Sequence, residues 1–386
     1  MGWHTVRQRD EASDDQAEQQ KDERTASWYH TNSLARKYEN KPPVIPIDRE
    51  TRPLTKTKTL MKYQGDALSK FPEQIQQVLE QHQPHGLKIS DFRSIVIAGL
   101  GGSGIGGHIT KTLCADTSPV PIEVISDYEL PAYVNGETLV IASSYSGNTE
   151  ETISMYQQAH QRGAPIVALS TGGHIIEKAQ SDHYTYYKAV PGFQPRMALG
   201  YSLTRLLLIV EELGLGDFRP ALEASVKRLG GNRESFISRA QQIMDQFPRA
   251  KEDKYVVVAD RLTKPFALRF CQQINENSKQ DAFMIELPEA NHNVMETHYG
   301  KQASNYVLMN GKAHERIGLR FGFLRELLEG EGNHVSYHEL DARQLPDMLE
   351  LSYVLDWYSL LLADAKNLNS EAIPNINALK DYLGKH

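Results

Sequence analysis

The stretch SIVIAGLGGSGIGG, Ser94 to Gly107, decides the fold of this chain. It opens with a short apolar run of the kind found in buried strands, passes through a glycine-rich loop and then takes up helical spacing. The same order recurs in TLVIASSYSGNTEET, Thr138 to Thr152, with the apolar run IEVIS between the two stretches and PIVALSTGG after them. Because parallel strands need crossover connections that are usually helices, these runs predict an α/β fold built on a doubly wound, mainly parallel sheet.

A second series of apolar runs, YVVVAD, AFMIEL, SNYVLMN and HVSYHEL, follows a long helical stretch. The 386 residues of the chain are also more than one hydrophobic core usually serves. We therefore predict two similar α/β domains, a connection and a tail: a first domain at 61–210, a helical connection at 211–249, a second domain at 250–360 and a C-terminal helical tail at 361–386.

Residues 1–60 differ in composition from the rest of the chain. They are crowded with charged and polar side chains and contain a proline-rich segment, which predicts disorder. Leu68, Phe71, Ile75 and Leu79 then have helical spacing, so we expect the folded part to begin close to Met61.

Composition narrows the partners of the protein. A net charge of -7 and a pI near 6.1, without a local basic patch, argue against nucleic acid and anionic membranes and favour a small-molecule ligand. Two cysteines, Cys114 and Cys271, cannot build a disulfide framework and are interpreted as buried apolar residues. The apolar runs are far shorter than the ~20 residues that span a bilayer, and the N-terminus lacks a signal-peptide pattern, so a soluble cytoplasmic protein is predicted.

The glycine loop has more than one interpretation. Gly99, Gly101 and Gly104 match GxGxxG, and Glu123 or Asp127 follows about 20 residues later, as in dinucleotide-binding sites. Glycines also let a backbone approach any anion, which the free N–H groups of the following helix would bind. A turn needed only for tight packing is the third interpretation.

A second loop, SSYSGNTEET, favours a phosphate ester over a dinucleotide. Ser144, Ser146 and Thr149 present hydroxyls beside the predicted N-terminus of a helix, where a phosphate monoester finds several donors. The alternative is a capping box that joins Ser146 or Thr149 to Glu150 or Glu151. Two such loops at neighbouring strand ends favour one sugar phosphate, with Gly102 and Ser103 contributed by the first loop.

Taken together, GLGGSGIGG and SYSGNTEET resemble the paired signature of sugar isomerase (SIS) domains, and specifically that of the bifunctional phosphoglucose/phosphomannose isomerases. PGFQPRMALGYSL, INENSK and PEANHNVMETH extend the resemblance across most of residues 61–386. The resemblance implies two SIS domains that interconvert glucose 6-phosphate, and also mannose 6-phosphate, with fructose 6-phosphate. It further implies that the enzyme uses no metal or nucleotide cofactor and acts as a homodimer.

Each candidate catalytic residue has a chemical reason. Glu276 of INENSK is the expected base, because moving a proton between C1 and C2 through a cis-enediolate needs a carboxylate. Arg196 is the fixed cation for the enediolate oxygens. His292 titrates near neutrality and suits ring opening, and the resemblance implies that it reaches the site of a partner subunit. Lys380 matches a family lysine at the sugar ring. The alternatives are a solvated helix face for Glu276, a loop histidine with satisfied hydrogen bonds for His292 and a surface lysine for Lys380.

The tail departs from the family at one place. The family has a threonine shortly before the lysine of IPNINALKDYL, whereas residues 371–379 contain none and Ser370 carries the nearest hydroxyl.

Three other classes of function stay open on sequence grounds. They are a sugar-phosphate sensor, an isomerase of another sugar phosphate, and a nicotinamide dehydrogenase.

A metal site is a further alternative, because His292, Glu296 and His298 lie close together in the sequence. No HExxH motif is present, and no cysteine or third clustered histidine completes a site with ordinary ligand spacing. We therefore predict that the site holds no metal.

Overall fold

The apolar runs of the first half form a five-stranded sheet in the computed structural model, which describes residues 62–385. All neighbouring strands are parallel, in the order β2-β1-β3-β4-β5. The strands are β1 (Ser94–Ala98), β2 (Ile122–Ile125), β3 (Thr138–Ser143), β4 (Ile166–Ser170) and β5 (Thr185–Lys188). The predicted doubly wound parallel sheet is confirmed, and its strand order places a topological switch point between β1 and β3.

The second half forms a four-stranded sheet, also parallel, in the order β7-β6-β8-β9. Its strands are β6 (Lys254–Ala259), β7 (Ala282–Glu286), β8 (Ser304–Asn310) and β9 (His334–Glu339). Each corresponds to one of the four apolar runs of the second series, so the prediction of a second α/β unit is confirmed.

Twelve helices surround these sheets within residues 62–385, apart from short 3₁₀ turns. They are α1 (Lys62–Ser69), α2 (Phe71–Gln81), α3 (Gly101–Cys114), α4 (Glu150–Gln161), α5 (Gly173–Ser181), α6 (Leu199–Glu212), α7 (Arg219–Leu229), α8 (Arg233–Met244), α9 (Lys264–Ser278), α10 (Glu315–Gly330), α11 (Leu345–Ala365) and α12 (Pro374–Leu383). The predicted C-terminal helical tail is confirmed by α12.

The two faces of the first sheet pack into different cores because side chains alternate along a strand. Ile97 and Ile141 belong to a large core that also contains Val257 and Val307 of the second sheet. The opposite face, which includes Val140, packs against α4 and α5 in a core of its own. The second sheet likewise has a separate outer core. One central core, filled mainly by α6, α9 and α11, therefore joins the two sheets.

The predicted start of the folded part and the predicted strands can be compared with these elements. The four apolar residues at helical spacing, Leu68 to Leu79, are all buried in α1 and α2. The prediction of disorder at 1–60 lies outside the described residues. The strand β5 has no counterpart in the sequence prediction, because its residues TYYK alternate between half-buried and exposed positions and lack an apolar run.

The cysteines and the hydropathy of the helices agree with the compositional analysis. Cys114 and Cys271 are free and buried, and burial raises the pKa of each thiol to about 12. Their interpretation as buried apolar residues is confirmed. Within residues 62–385, every helix is too short or too polar to cross a membrane.

Candidate active site

The two hydroxyl-bearing loops start side by side because β1 and β3, the strands that precede them, end at paired positions of the sheet. Ala98 of β1 pairs with Ala142 of β3, at the switch point of the first sheet. In open α/β sheets, a crevice for ligands forms at this point, outside the carboxyl ends of the strands. The pairing register thus brings the predicted phosphate-binding residues of both loops to one edge of the sheet.

The second loop holds its hydroxyls around the start of α4. Ser144 Oγ lies 2.8 Å from Thr149 Oγ1 and also accepts a hydrogen bond from Gly147 N at 3.2 Å. Ser146 Oγ accepts from Asn148 N at 3.2 Å. Thr149 is the N-cap residue, but its side chain makes no capping hydrogen bond, so the capping-box alternative is wrong. The first N–H groups of α4 therefore remain available to an anion.

A backbone hydrogen bond connects the first loop to the second. Tyr145 N donates to Ser103 Oγ at 3.2 Å, and Ser103 is buried at the start of α3. Because this hydroxyl is already an acceptor, its own proton is free to be donated to a phosphate oxygen. Ser103 and the Ser144–Thr149 loop can thus act on one ligand.

A close approach of Gly102, in the first of the two hydroxyl-bearing loops, brings that loop next to Arg196, the residue predicted as the catalytic cation. A Cβ atom at position 102 would lie 2.7 Å from Pro195 O and 3.4 Å from Arg196 N. Only glycine permits this contact between α3 and the 3₁₀ turn Pro195–Met197. Arg196 therefore enters the site directly beside the first loop.

The Arg196 guanidinium is buried, with 5% of its surface exposed, and is held on three sides. Nε donates to Asn277 Oδ1 at 2.8 Å, and Nη2 donates to the carbonyl oxygens of Ser370 at 2.7 Å and Glu371 at 3.4 Å. The remaining contact runs from Nη1 to Glu276 Oε2 at 3.1 Å. Burial lowers the pKa of Arg196, while the negative charges of Glu276 and Glu371 oppose that shift.

Glu276 occupies the last turns of α9, and 30% of its side chain is exposed. The carboxylate borders a groove of about 500 Å³ that lies between the end of α9 and the tail residues 372–376. The Arg196 contact is the single hydrogen bond of this carboxylate within residues 62–385, so Oε1 has no hydrogen-bond partner there. The arrangement gives a partly exposed carboxylate beside a buried cation, as a base for an enediolate requires.

Lys279 is a site neighbour that the sequence analysis did not select. Its backbone adopts a left-handed conformation at φ 50° after α9, and Nζ donates to the carbonyl oxygens of Glu276, Asn277 and Asn369. Although the side chain is exposed, desolvation at the groove wall and the nearby charge of Arg196 lower its pKa to about 8. A lysine at the end of INENSK was the available signal, but no spacing rule points to it.

His292 and Lys380 are both exposed in the described chain. His292 ends the 3₁₀ turn Glu289–His292 after β7, and Lys380 lies on α12. Within residues 62–385, no hydrogen bond or ion pair joins either residue to Arg196 or Glu276. The structure thus brings together the two hydroxyl-bearing loops, Arg196 and Glu276 but does not bring His292 or Lys380 to them, and the roles of all these residues remain predictions.

The residues that suggested a dinucleotide site or a metal site make other contacts in the structure. Glu123 accepts a hydrogen bond from the Tyr133 hydroxyl at 2.9 Å. His298 is buried, with Nδ1 3.4 Å from the Tyr306 hydroxyl, whereas His292 and Glu296 are exposed. In the part of the chain that the structure describes, no three histidine, cysteine or acidic side chains are placed to share a metal ion.

Comparison with known proteins agrees with this geometry. The SIS domain model matches residues 88–211, and the model of the bacterial phospho-glucose isomerase C-terminal SIS domain matches residues 239–383. A bifunctional phosphoglucose/phosphomannose isomerase from Caldicellulosiruptor bescii is 34% identical over 83% of this chain and 98% of its own length. The chain belongs to the bifunctional phosphoglucose/phosphomannose isomerase family. The predicted family and its two SIS domains are thereby confirmed.

Two further proteins are similar to this chain, one in sequence and one in fold. A D-glucosamine-6-phosphate 4-epimerase from Sulfolobus acidocaldarius is 30% identical over 58% of this chain and 69% of its own length. A crystal structure of a hypothetical protein from Thermus thermophilus superposes with a TM-score of 0.68, at 15% identity, over 85% of this chain and 93% of that one. The second likeness concerns the fold alone.

Proposed function

We propose that this protein is an aldose–ketose isomerase that interconverts glucose 6-phosphate and mannose 6-phosphate with fructose 6-phosphate. The observation that carries the proposal is the 3.1 Å contact between buried Arg196 and partly exposed Glu276, next to two loops rich in hydroxyls and free N–H groups. The names of the relatives support the choice of glucose and mannose phosphates.

The phosphate loops supply binding energy rather than chemistry. Ser103, Ser144, Ser146 and Thr149 hold the phosphate together with the backbone of Gly102 and the start of α4. Fixing the phosphate at one end of an open-chain sugar holds C1 and C2 near the Glu276 carboxylate, which converts the encounter into an effectively intramolecular step.

Proton transfer follows from the two charged groups. Glu276 takes the proton from C2 of the aldose, the C2 electron pair forms the C1=C2 double bond, and the former carbonyl oxygen O1 becomes an enediolate oxygen. Arg196 stabilises that oxygen, since its charge persists at any working pH. The O2 hydroxyl proton then passes to O1, and return of the carried proton from Glu276 to C1, with the carbonyl re-formed at C2, gives the ketose.

The proposal extends to groups outside this network. His292, supplied by a partner subunit, and Lys380 open the sugar ring, and a homodimer is the active unit. The enzyme works in the cytoplasm without a metal or nucleotide cofactor. Exposure of both side chains supports a role for them toward a second chain or a closed tail.

A second candidate is an activity on hexosamine 6-phosphates. The relative named D-glucosamine-6-phosphate 4-epimerase favours it, because that protein aligns with 58% of this chain. The same carboxylate and cation would then act on an amino sugar, with the phosphate held by the same loops.

The test is a coupled assay of fructose 6-phosphate formation by the purified protein. Glucose 6-phosphate and mannose 6-phosphate are offered separately in the presence of EDTA, and glucosamine 6-phosphate is followed by product analysis. We expect turnover of both hexose phosphates, unaffected by EDTA, and a loss on the order of 10³-fold or more in Glu276→Gln. Glu80→Gln, an exposed carboxylate on α2, is the matched control and should retain full activity.

Other outcomes have defined meanings. Conversion of glucosamine 6-phosphate alone would replace the proposal by the second candidate. Binding of sugar phosphates without turnover would indicate a sensor. Activity that disappears with EDTA and returns with a divalent ion would refute the metal-free mechanism.

A further inference from the structure

A buried polar network behind Arg196 has no part in the function proposed above. It consists of side chains from α9 and α11, all at most 3% exposed: Arg269, Gln273, Asn277, Asp356 and Ser359. Polar groups are costly to bury unless they are paired, so a network of this size in a shared core needs a reason.

Asn277 is the member that touches the Arg196 side chain. Because the guanidinium Nε can only donate, the Asn277 atom 2.8 Å away is the amide oxygen. The amide nitrogen then donates to Ser359 Oγ at 2.9 Å, and Ser359 Oγ donates in turn to Asp356 O at 2.7 Å. Each donor has an acceptor along this chain, so the amide has one orientation.

Asp356 holds the backbone of the same arginine through a second route. Its carboxylate accepts from Arg269 Nη2 at 2.7 Å and from Gln273 Nε2 at 3.1 Å. Arg269 Nη2 also donates to Arg196 O at 3.1 Å. The side chain and the main chain of Arg196 are therefore both attached to α9 and α11.

These attachments decide how Arg196 meets the carboxylate of Glu276. Arginine and carboxylate groups tend to pair through two parallel hydrogen bonds, which would occupy both oxygens of Glu276. Here Nε is taken by Asn277 and Nη2 by the carbonyl oxygens of Ser370 and Glu371, so only Nη1 is left. The single contact to Oε2 keeps Oε1 available for the substrate.

We propose that Asn277 is a positioning residue for isomerisation: it occupies Nε of Arg196 and, together with the Ser370 and Glu371 carbonyls on Nη2, prevents a two-bond pair with Glu276 and aims Nη1 at the enediolate oxygens. The inference rests on the proposed function, in which Glu276 is the base and Arg196 the cation. Asp356 and Arg269 support the same arrangement from the backbone side.

The test compares Asn277→Leu, which has a similar size but no acceptor, with Asn277→Asp, which keeps the oxygen. Ser278→Ala is the matched control. Ser278 follows Asn277 on α9, and the substitution removes its buried hydrogen bond to Ser359 O of α11 without affecting a contact of Arg196. We expect kcat to fall about 10- to 100-fold in Asn277→Leu with KM for glucose 6-phosphate changed less than about 3-fold. Asn277→Asp should recover part of kcat, and Ser278→Ala should change neither constant more than about 3-fold.

A binding measurement separates positioning from a general loss of structure. 5-Phosphoarabinonate carries a carboxylate where the enediolate oxygens form, whereas glucitol 6-phosphate offers only the phosphate and hydroxyls. Asn277→Leu should weaken the first ligand at least about 10-fold and the second less than about 3-fold. An unchanged ratio of the two affinities, whether both ligands are weakened equally or neither is weakened, would overturn the inference.

Two provisions keep this result interpretable. If Asn277→Leu does not fold, Ser359→Ala removes only the partner that orients the amide, and the affinity ratio should shift in the same direction. If the wild-type protein does not isomerise hexose phosphates, the coupled assay refutes the proposed function without any result from the variants. The affinity ratio then still shows whether Asn277 directs Arg196.

Discussion

At the scale of single residues, the hydroxyl-bearing loop Ser144–Thr149 depends on a glycine whose place no side chain could take. Gly147 adopts φ +74°, and a Cβ atom there would lie 1.9 Å from Gly172 O, in the loop after β4. The second hydroxyl loop is therefore fitted against its neighbour with no space for a methyl group.

We predict that Gly147→Ala destabilises the protein by at least about 3 kcal/mol, because it combines a steric clash with a left-handed backbone conformation. The Michaelis constant for glucose 6-phosphate should rise at least about 10-fold as Ser144, Ser146 and Thr149 shift. Thermal unfolding and steady-state kinetics measure the two effects.

Gly163→Ala is the control for backbone strain alone. Gly163 has a similar φ of +69°, but nothing lies within 4 Å of its Cβ position. We expect a loss of about 1 kcal/mol and normal kinetics. Similar stability and Michaelis constants in the two variants would contradict the packing argument.

At the scale of elements, α12 differs from the other helices around the second sheet. None of its residues is buried, and Ile376 and Leu379 are 40% and 56% exposed. The helix also carries Lys380, while the segment before it supplies the two carbonyl oxygens that hold Arg196. Its contribution to function is thus expected to exceed its contribution to folding.

We predict that truncation after Ile373 lowers the melting temperature by less than about 3 °C, because little apolar area leaves a buried position. Activity should fall at least about 10-fold, and Lys380→Ala in the full chain should reproduce most of that loss. Differential scanning calorimetry and the coupled assay measure these changes. A truncated protein with full activity would exclude Lys380 from the mechanism.

At the scale of the whole molecule, one central core connects the two sheets, so the Arg196 turn and α9 keep a fixed relation. The exposed position of His292 leaves its proposed role to a second chain. An active site built from two subunits can be distinguished from a site within one subunit, because two different inactive subunits can together form one complete site.

We predict that mixing Glu276→Gln with His292→Ala, after joint unfolding and refolding, restores about a quarter of the wild-type activity, since half the dimers are mixed and each has one intact site. Each variant alone should be nearly inactive. Activity of the mixture no greater than the sum of its parts would falsify a histidine supplied by the partner. Sedimentation of the wild-type chain provides the accompanying test of a dimer.

The sequence by itself determined most of the architecture and the chemical identity of the site. Apolar runs that alternate with helical stretches predict parallel strands, because a strand covered by helices on both faces needs a continuous apolar sequence. The hydroxyls after β3 could be selected from their place at a strand end, whereas Glu276 and Arg196 are selected because their motifs resemble those of the isomerase family. Strand β5 could not be predicted, since its half-exposed pattern carries little burial signal.

Only the tertiary structure decided which of these groups meet and how. Residues 196 and 276 are far apart in the sequence, and their 3.1 Å contact exists because α9 and the Pro195–Met197 turn both pack against α3. The roles of Asn277 and of the Ser370 carbonyl likewise depend on distances, not residue types. A hydrogen bond is fixed by geometry over a few ångströms, and sequence spacing specifies such geometry only within a single element.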